Sequence, residues 1–237
     1  MNAQLQPIFP EPIVEYSKIG ADQHRINKLY EEQDWEATNA GDNPEYFLKI
    51  SSNQNVLSED KRLKDFFEGL VNNYASKFLL YENSFHATTS WFTMAEKDKI
   101  SILHNHGNAM FCAVYYFGLA GDRKAQIAFE KPVLSQFDLK PRQYNVLNGP
   151  AHVFDMGNDS MLVFPSYLKH KVVRHQHDEV RKSLAMNFMP IGRAGAGTNE
   201  STACDDKLVT GRRFVSEPEI GLSCAVESGA PLENRKI

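Results

Sequence analysis

A series of short β-prone segments fills the second half of the chain and constrains its fold more than any other feature. Between about residues 83 and 190, runs rich in β-branched and aromatic residues alternate with turn-forming clusters, as at residues 118–121 and 157–160. The runs are SFHATTSWFTMA, ISILHNH, AMFCAVYYFG, AQIAFE, HVFDM, SMLVFP, KHKVVRH and KSLAMNFMP. No long helical pattern separates them, which disfavours a parallel βαβ sheet and indicates a β-sandwich or jelly roll.

The sequence ahead of this series predicts an extended arm followed by two helices. Residues 1–20 alternate prolines with apolar residues, which is typical of an arm or a first strand. A short helix is expected from about Asp22, ended by Gly41 and Pro44. A longer helix is expected in SEDKRLKDFFEGLVNNYASKFL, with Ser58 as its N-cap. The apolar residues of the longer helix recur at helical spacing and form one face: Leu63, Phe66, Phe67, Leu70, Val71, Tyr74 and Phe78.

Composition limits the class of protein. The chain has 237 residues, enough for one well-packed domain with appendages, and its 42% hydrophobic and 24% charged content is ordinary for a globular protein. A net charge of −4 disfavours a protein that binds nucleic acid over its whole surface, although a local basic groove would remain compatible with it. The three cysteines, Cys112, Cys204 and Cys224, lack CxxC spacing, which argues against a disulfide framework or a cysteine zinc site.

The expected organisation is one structural domain in three parts. Residues 1–82 form the arm and supporting helices, and residues 83–193 form the β core. Residues 194–237, with few large apolar residues, form a poorly packed extension that could serve as a lid or an oligomer contact. The N-terminus lacks the pattern of a secretory signal, and no apolar run reaches the roughly 20 residues that span a bilayer. We therefore expect a cytoplasmic protein without membrane contact.

A pair of histidines in LHNHG is the first candidate for chemistry. Side chains alternate across a strand, so His104 and His106 are expected to point to the same side and could chelate a metal. A catalytic non-haem iron site takes two histidines and one carboxylate and leaves positions open for substrate and oxygen. The best third ligand from another strand is His170, which follows a turn at Pro165 and Ser166. Without such a partner, two nearby histidines are more often solvated or hydrogen-bonded than bound to metal.

The remaining histidines give weaker signals. His175 and His177 form a second HxH pattern, but they lie among charged residues and are expected in a solvated loop. His152 stands alone and is expected to be structural, and His24 and His86 indicate no function.

The strand RKSLAMNFM predicts a polar cavity on one of its faces. Alternate residues on one face are polar or small: Arg181, Ser183, Ala185 and Asn187. The other face is mainly apolar and should be covered by the N-terminal helices: Lys182, Leu184, Met186 and Phe188. An arginine inside a cavity favours an anion, and a guanidinium binds a carboxylate through two parallel hydrogen bonds. The alternative is an arginine in a surface ion pair.

In order and spacing, these residues resemble the iron(II)/2-oxoglutarate-dependent oxygenases over about residues 85–190. FPSYLKHKV followed by RKSLAMNF is similar to the FPSWLxHxV…RxSxSFN pattern of a group of bacterial and phage oxygenases. The resemblance implies a double-stranded β-helix, a kind of jelly roll, covered on one face by helices. It also implies that His104 and His170 bind iron, that Arg181 and Ser183 hold the far carboxylate of 2-oxoglutarate, and that Tyr116 in AVYYF reaches the same co-substrate.

The sequence departs from the superfamily pattern at the second iron ligand, although an HxH pair is frequent in the group of bacterial and phage oxygenases that the chain resembles. The superfamily has a His-x-Asp pair, whereas this chain has His106 in place of the aspartate. A neutral imidazole is a good iron(II) ligand but removes one negative charge from the site. Two alternatives stay open: His106 binds the metal, or it does not and Asp155, Glu130 or water completes the shell. A histidine leaves no room for a halide ion, which disfavours halogenation.

The resemblance implies a dioxygenase, with Fe(II), 2-oxoglutarate and O2 as its cofactors and co-substrates and ascorbate as a reductant. Decarboxylation of 2-oxoglutarate to succinate would be coupled to oxidation of a C–H bond, with no catalytic residue beyond the metal ligands. Asn187 and Thr93 are expected to line the pocket, and Trp91 is expected mainly in core packing. The substrate could be a protein side chain, a nucleobase or a metabolite. Such domains are often homodimers, and a phage-encoded enzyme would act in the host cytoplasm.

Two other functions compete with this one. A cupin-type metalloprotein would use His104, His106 and His170 without 2-oxoglutarate and would not need Arg181 and Ser183 at their spacing. A non-enzymatic jelly-roll module would bind neither iron(II) nor 2-oxoglutarate. The fold alone does not separate these functions, because jelly rolls support many of them.

Overall fold

Two antiparallel sheets facing each other form the β core of the protein. The structure is a computed structural model that describes residues 4–5, 8–38, 46–133, 139–194 and 201–204. The major sheet has seven strands in the order β1-β8-β5-β10-β4-β3-β2, and the minor sheet has three in the order β7-β6-β9. These strands are β1 (Val14–Ser17), β2 (Trp35–Ala37), β3 (Lys49–Ser51), β4 (Phe85–Ala95), β5 (Phe111–Phe117), β6 (Ala125–Glu130), β7 (Ala151–Met156), β8 (Ser160–Pro165), β9 (His170–Val172) and β10 (Arg181–Pro190). The mainly β fold with N-terminal helices predicted from the sequence is confirmed.

Two helices lie between β1 and β4 in the chain, and aspartates cap both of them. Helix α1 (Gln23–Glu31) begins after Asp22, whose side chain accepts the backbone N–H of Arg25. Helix α2 (Lys61–Asn73) continues into a π-helical segment at Tyr74–Phe78. The predicted N-cap Ser58 was wrong, because Ser58 belongs to a 3-10 turn and its hydroxyl donates to the Asn55 carbonyl. The cap is Asp60, which accepts from the first turn of α2.

Alternation along β5, β8 and β10 separates two cores. Side chains on one face of these strands pack with the helices: Phe111, Ala113, Tyr115, Phe117, Met161, Val163, Leu184, Met186 and Phe188. The helices contribute Ile26, Leu63, Phe67, Val71 and Tyr74 to the same core. Burial of each such large side chain stabilises the fold by about 1.5–3 kcal/mol. The opposite face points toward the minor sheet and forms the second core, with Cys112, Val114, Tyr116, Leu162, Phe164 and Ala185.

Several elements differ from the sequence-based expectation. The segment ISILHNH is not a continuous strand, because it contacts residues 166–172 only at separate points, and the Ser101 hydroxyl accepts the Val172 N–H where a ladder bond would be. Strands β2 and β3 were not predicted. Two further strands, β11 (Gly192–Ala194) and β12 (Ser201–Cys204), pair with each other across the predicted boundary between the core and the extension.

Some predictions lie outside the described residues. These are most of the extension over residues 194–237 and the positions Gly41 and Pro44 themselves, but the prediction that Gly41 and Pro44 end the first helix was wrong, because α1 already ends at Glu31 and is followed by β2. The division into residues 1–82, 83–193 and 194–237 therefore stays a prediction. Within the described ranges, no helix has the length and apolar content needed to cross a membrane.

Candidate active site

Three histidines meet between the two sheets. His104 and His170 face each other in an isolated antiparallel bridge, with N–O distances of 3.0 and 2.8 Å. The His106 N–H donates to the Ser166 carbonyl at 3.0 Å, which brings the third imidazole to the same place. One ring nitrogen from each histidine lies within 4.8 Å of the other two. The backbone pairing of residues 104–106 with residues 166–170 thus brings the three imidazoles into one compact cluster.

Each imidazole is oriented through its Nδ1 atom. Nδ1 of His104 lies 2.9 Å from the Ile102 carbonyl, and Nδ1 of His170 lies 2.9 Å from the Leu168 carbonyl. A carbonyl only accepts, so these rings carry the proton on Nδ1 and leave the Nε2 lone pair for a metal. Burial lowers the pKa of His106, and it lowers the pKa of His170 to about 3, so neutral imidazoles, the form that binds metals, are favoured.

The two carboxylates considered as alternative ligands lie elsewhere. Asp155 is exposed on β7 and accepts a hydrogen bond from the Gln126 amide at 2.8 Å. Glu130 lines a separate cavity beside the N-terminal arm. Within the residues that the structure describes, the histidine cluster is the one group of at least three side chains suited to a metal ion. The geometry therefore favours a centre of three imidazoles over one with either carboxylate.

A buried arginine lies at the start of β10, on the face that also points between the sheets. The Arg181 side chain is 2% exposed, and its Nη1 donates to Thr93 Oγ1 at 3.3 Å. Thr93 Oγ1 in turn lies 2.6 Å from Ser183 Oγ. The guanidinium carbon is 5.0 Å from the centroid of the Tyr116 ring. Burial raises the pKa of Tyr116, and the charge of Arg181 opposes that shift, so the phenol stays a hydrogen-bond donor.

The polar groups around Arg181 are incompletely paired. Neither Arg181 Nε nor Tyr116 OH has a hydrogen-bond partner among the described residues. A buried cation without a counter-charge is costly, and the described neighbours supply no carboxylate to it. The donor set of a guanidinium, a phenol and two hydroxyls fits a carboxylate, and the three imidazoles fit a divalent transition metal.

One cavity of about 360 Å³ connects the two groups. His104, His106, His170, Arg181 and Ser183 all contribute to its lining. The rest of the wall is largely apolar and includes Ile50, Trp91, Ile102, Val114, Ile127 and Phe164. Apart from the histidines, Arg181 is the one residue with a charged side chain among the described lining residues.

Of the three other residues considered from the sequence, Thr93 and Trp91 line the cavity and Asn187 does not. Thr93 lines the cavity, whereas Asn187 lies behind His106, with its Oδ1 2.6 Å from His106 Nδ1. Trp91 packs against the second core and also lines the cavity, with its ring 5.6 Å from that of His106.

One histidine prediction was wrong. His175 lies in a loop, as expected, but its side chain is 5% exposed and donates to the Glu179 carbonyl, so it is not solvated. A local hydrogen bond to its own loop allows this histidine to be buried. His152 is exposed and packs edge-on against Phe154.

Two residues of the site were missed from the sequence. Cys112 Sγ lies 3.1 Å from His106 Nδ1, and Thr89 Oγ1 accepts from the Asn187 amide at 2.9 Å. The alternation of side chains along a strand could have predicted both. Cys112 lies on the same face of β5 as Tyr116, and Thr89 lies on the same face of β4 as Thr93.

The sequence of the β core matches a known family. Residues 89–187 match the model of a family described as "Putative 2OG-Fe(II) oxygenase". The matched segment runs from β4 to β10 and contains the three histidines, Tyr116, Arg181 and Ser183. No curated protein matches the chain in sequence.

Solved structures share the fold at low sequence identity. The α-ketoglutarate-dependent epimerase SnoN from nogalamycin biosynthesis is 11% identical with a TM-score of 0.55, over 89% of each chain. HygX from Streptomyces hygroscopicus, solved with nickel, 2-oxoglutarate and hygromycin B, is 10% identical with a TM-score of 0.51, over 75% of this chain and 82% of HygX. A prolyl hydroxylase from Trichoplax adhaerens is 10% identical with a TM-score of 0.50, over 74% of this chain and 82% of that one. The family match and the shared double-stranded β-helix confirm the resemblance predicted from the sequence.

Proposed function

We propose that this 2-oxoglutarate- and iron(II)-dependent oxygenase is a hydroxylase, which couples decarboxylation of 2-oxoglutarate to succinate with oxidation of a C–H bond. One observation carries the proposal: a single cavity has three metal-binding imidazoles at one end and a buried, incompletely paired arginine at the other. A co-substrate with a chelating 2-oxo acid at one end and a carboxylate at the other matches both.

The arginine end of the cavity holds the far carboxylate. Arg181 offers its guanidinium N–H groups, and Tyr116 offers a phenolic O–H that has no partner among the described residues. The hydroxyls of Ser183 and Thr93 are 2.6 Å apart and complete the donor set. Charge-assisted bonds of this kind in a buried site are stronger than those at a surface.

The histidine end holds the metal through the Nε2 atoms of His104, His106 and His170. Iron(II) with 2-oxoglutarate supplies, when bound, the activation of O2 and the oxidation of the substrate C–H bond. Three protein ligands leave coordination positions open for the co-substrate and for oxygen. The chain's own part is to fix the imidazoles, to bind the co-substrate in one orientation and to exclude water from the reaction.

The cavity wall indicates which part of the substrate reaches the metal. Ile50, Ile102 and Trp91 line the cavity, and the described wall offers no acidic side chain and no lysine. An uncharged, largely apolar group of the substrate therefore enters, because a charged group would lose its hydration without compensation. Protein side chains, nucleobases and metabolites can each present such a group.

Succinate formation tests the proposal without knowledge of the substrate. The protein is incubated in air with 2-oxoglutarate, iron(II) and ascorbate, and succinate is quantified for wild type, His170→Ala and Arg181→Ala. Slow turnover by wild type, lost in both variants, is expected. The matched controls are His24→Ala on the exposed face of α1 and Arg174→Ala in an exposed loop, and both should behave as wild type.

The rival functions give different results in anaerobic titrations. A cupin-type protein would bind iron(II) but not 2-oxoglutarate, and a non-enzymatic module would bind neither. Hydroxylation itself is tested with isotopically labelled O2 and a cell extract, where a product that has gained one labelled oxygen atom is expected. Succinate formation without any labelled product would contradict the hydroxylase assignment.

A further inference from the structure

The three imidazoles of the cluster are held in two different ways. His104 and His170 each direct Nδ1 to the carbonyl two residues earlier in the chain, at 2.9 Å in both cases. These bonds are local, and the backbone supplies them. His106 instead directs Nδ1 to the side chain of Asn187, 81 positions away and 2.6 Å distant. The orientation of His106 thus depends on a side chain from strand β10.

Asn187 is itself fixed by further hydrogen bonds. Its Nδ2 donates to Thr89 Oγ1 at 2.9 Å, so its amide group has one orientation. With Nδ2 engaged, Oδ1 faces His106 and also accepts from the Cys112 thiol at 3.2 Å. Asn187 is 4% exposed, and water does not compete for Oδ1.

We infer that Asn187 is a positioning residue that makes His106 a metal ligand, by accepting the Nδ1–H of that ring and presenting its Nε2 lone pair to the metal. The inference rests on the proposed function, because it assumes a metal at the histidine cluster.

The chemistry of imidazole explains why such a residue is needed here. A neutral imidazole has two tautomers, and the one with hydrogen on Nε2 cannot bind a metal through that atom. The wider oxygenase superfamily that this chain resembles has an aspartate in place of His106, and a carboxylate has no tautomers. A side-chain acceptor on Nδ1 selects the binding tautomer and raises the basicity of the ligand, which partly offsets the lost negative charge.

The simpler explanation is that Asn187 only satisfies buried polar groups within the sheet. Both explanations predict some loss of stability when Asn187 is replaced. Only the positioning role predicts a change in metal binding that depends on His106. The experiment therefore measures metal binding and the dependence of that effect on His106.

Cobalt(II) is the probe, added to metal-free protein under anaerobic conditions without 2-oxoglutarate. Its visible absorption reports the ligand geometry, and the titration gives a Kd. Asn187→Leu should weaken binding roughly 10- to 100-fold, the typical effect of removing an outer hydrogen-bond partner, and should alter the spectrum. Asn187→Asp keeps the acceptor, can accept from the Thr89 hydroxyl, and should bind cobalt(II) at least as tightly as wild type.

Two further comparisons separate positioning from packing. In a His106→Ala background, Asn187→Leu should have almost no additional effect on the Kd, because the ring that it orients is gone. Thr89→Val should weaken binding several-fold, whereas the neighbouring Thr88→Val, which loses only a bond to the Asn187 main-chain carbonyl, should not. Circular dichroism of each metal-free variant verifies that it is folded.

The outcomes distinguish this inference from the proposed function. Absence of cobalt(II) binding by the wild type would overturn the metal site and the proposed function together. Wild-type binding with an unchanged Kd and spectrum in Asn187→Leu would overturn the positioning role alone. Equal weakening by Asn187→Leu with and without His106 would also overturn it, and so would Asn187→Asp behaving like Asn187→Leu.

Discussion

The backbones of His104 and His170 form two hydrogen bonds with each other, each residue donating once and accepting once. The two N–O distances are 3.0 and 2.8 Å, and the ring centroids above this bridge are 4.5 Å apart. The backbone therefore sets the spacing of two candidate metal ligands, and side-chain rotation adds little freedom. Preorganisation of this kind reduces the entropy lost when a metal binds.

The Ser101 hydroxyl accepts a hydrogen bond beside the bridge between His104 and His170. The Val172 N–H donates to Ser101 Oγ at 2.8 Å, close to His170. Ser101→Ala should lower the free energy of unfolding by about 1 kcal/mol, because the Val172 N–H loses its partner. Urea unfolding measures this change. Ser76→Ala, which removes a bond at an exposed site of the π-helical segment, should change it much less, and equal losses would contradict the supporting role.

The cap of α2 offers a second stability test. Asp60 accepts the N–H groups of Arg62 and Leu63 and pairs with Arg25 at 2.7 Å. Asp60→Ala should cost about 1 kcal/mol, the typical value of an N-cap. Ser58→Ala should change the free energy of unfolding by less than about 0.5 kcal/mol, as at most surface positions. Thermal or urea unfolding of both variants shows whether the cap is Asp60, and a larger loss at Ser58 would refute it.

If Arg181 binds the co-substrate as proposed, the affinity for 2-oxoglutarate should depend on the shape of its side chain as well as on its charge. Arg181→Lys keeps a cation but loses the planar fork that binds a carboxylate through two bonds. The KM for 2-oxoglutarate should rise roughly 10- to 100-fold, which corresponds to about 1.4–2.8 kcal/mol. Arg174→Lys is the matched control and should leave this KM unchanged. A KM in Arg181→Lys equal to that of wild type would remove Arg181 from the co-substrate site.

Metal binding should stabilise the folded protein measurably. Cobalt(II) at about 100 times its Kd should add roughly 2.7 kcal/mol to the free energy of unfolding. For a domain of this size the Tm should rise by roughly 5–10 °C, and excess chelator should reverse the rise. His170→Ala should show no rise, whereas His24→Ala should show all of it. A rise that persists in His170→Ala would place the metal elsewhere.

Much of the site could be predicted from local sequence pattern. The faces of β10 follow from alternation alone, so Arg181 and Ser183 could be assigned to the same side as Asn187, and Leu184 to the opposite side. The short apolar runs located most strands of both sheets. The resemblance to a known family then related His104 and His170, which are far apart in sequence.

The parts that were missed depend on distances between segments. Whether Asn187 faces the cavity or supports His106 is decided by the relative placement of two segments that are 81 positions apart, and alternation does not contain that information. Strands β2 and β3 have three residues each, too few to show a period. The segment around His104 pairs with its neighbours only through isolated bridges, but its sequence has the same apolar pattern as a regular strand.

Strand β10 sets the distance between two residues of the candidate site. Arg181 and Asn187 lie six residues apart on it, and at roughly 3.3 Å per residue the strand separates their Cα atoms by about 20 Å. Because β10 pairs with β4 on one side and β5 on the other, it cannot slide without breaking two ladders. The distance between Arg181, the proposed anchor of the co-substrate, and Asn187, the proposed support of a metal ligand, is therefore set by the length of the strand backbone. Insertion of one residue between Arg181 and Asn187 would change that length and turn one of the two side chains away from the cavity.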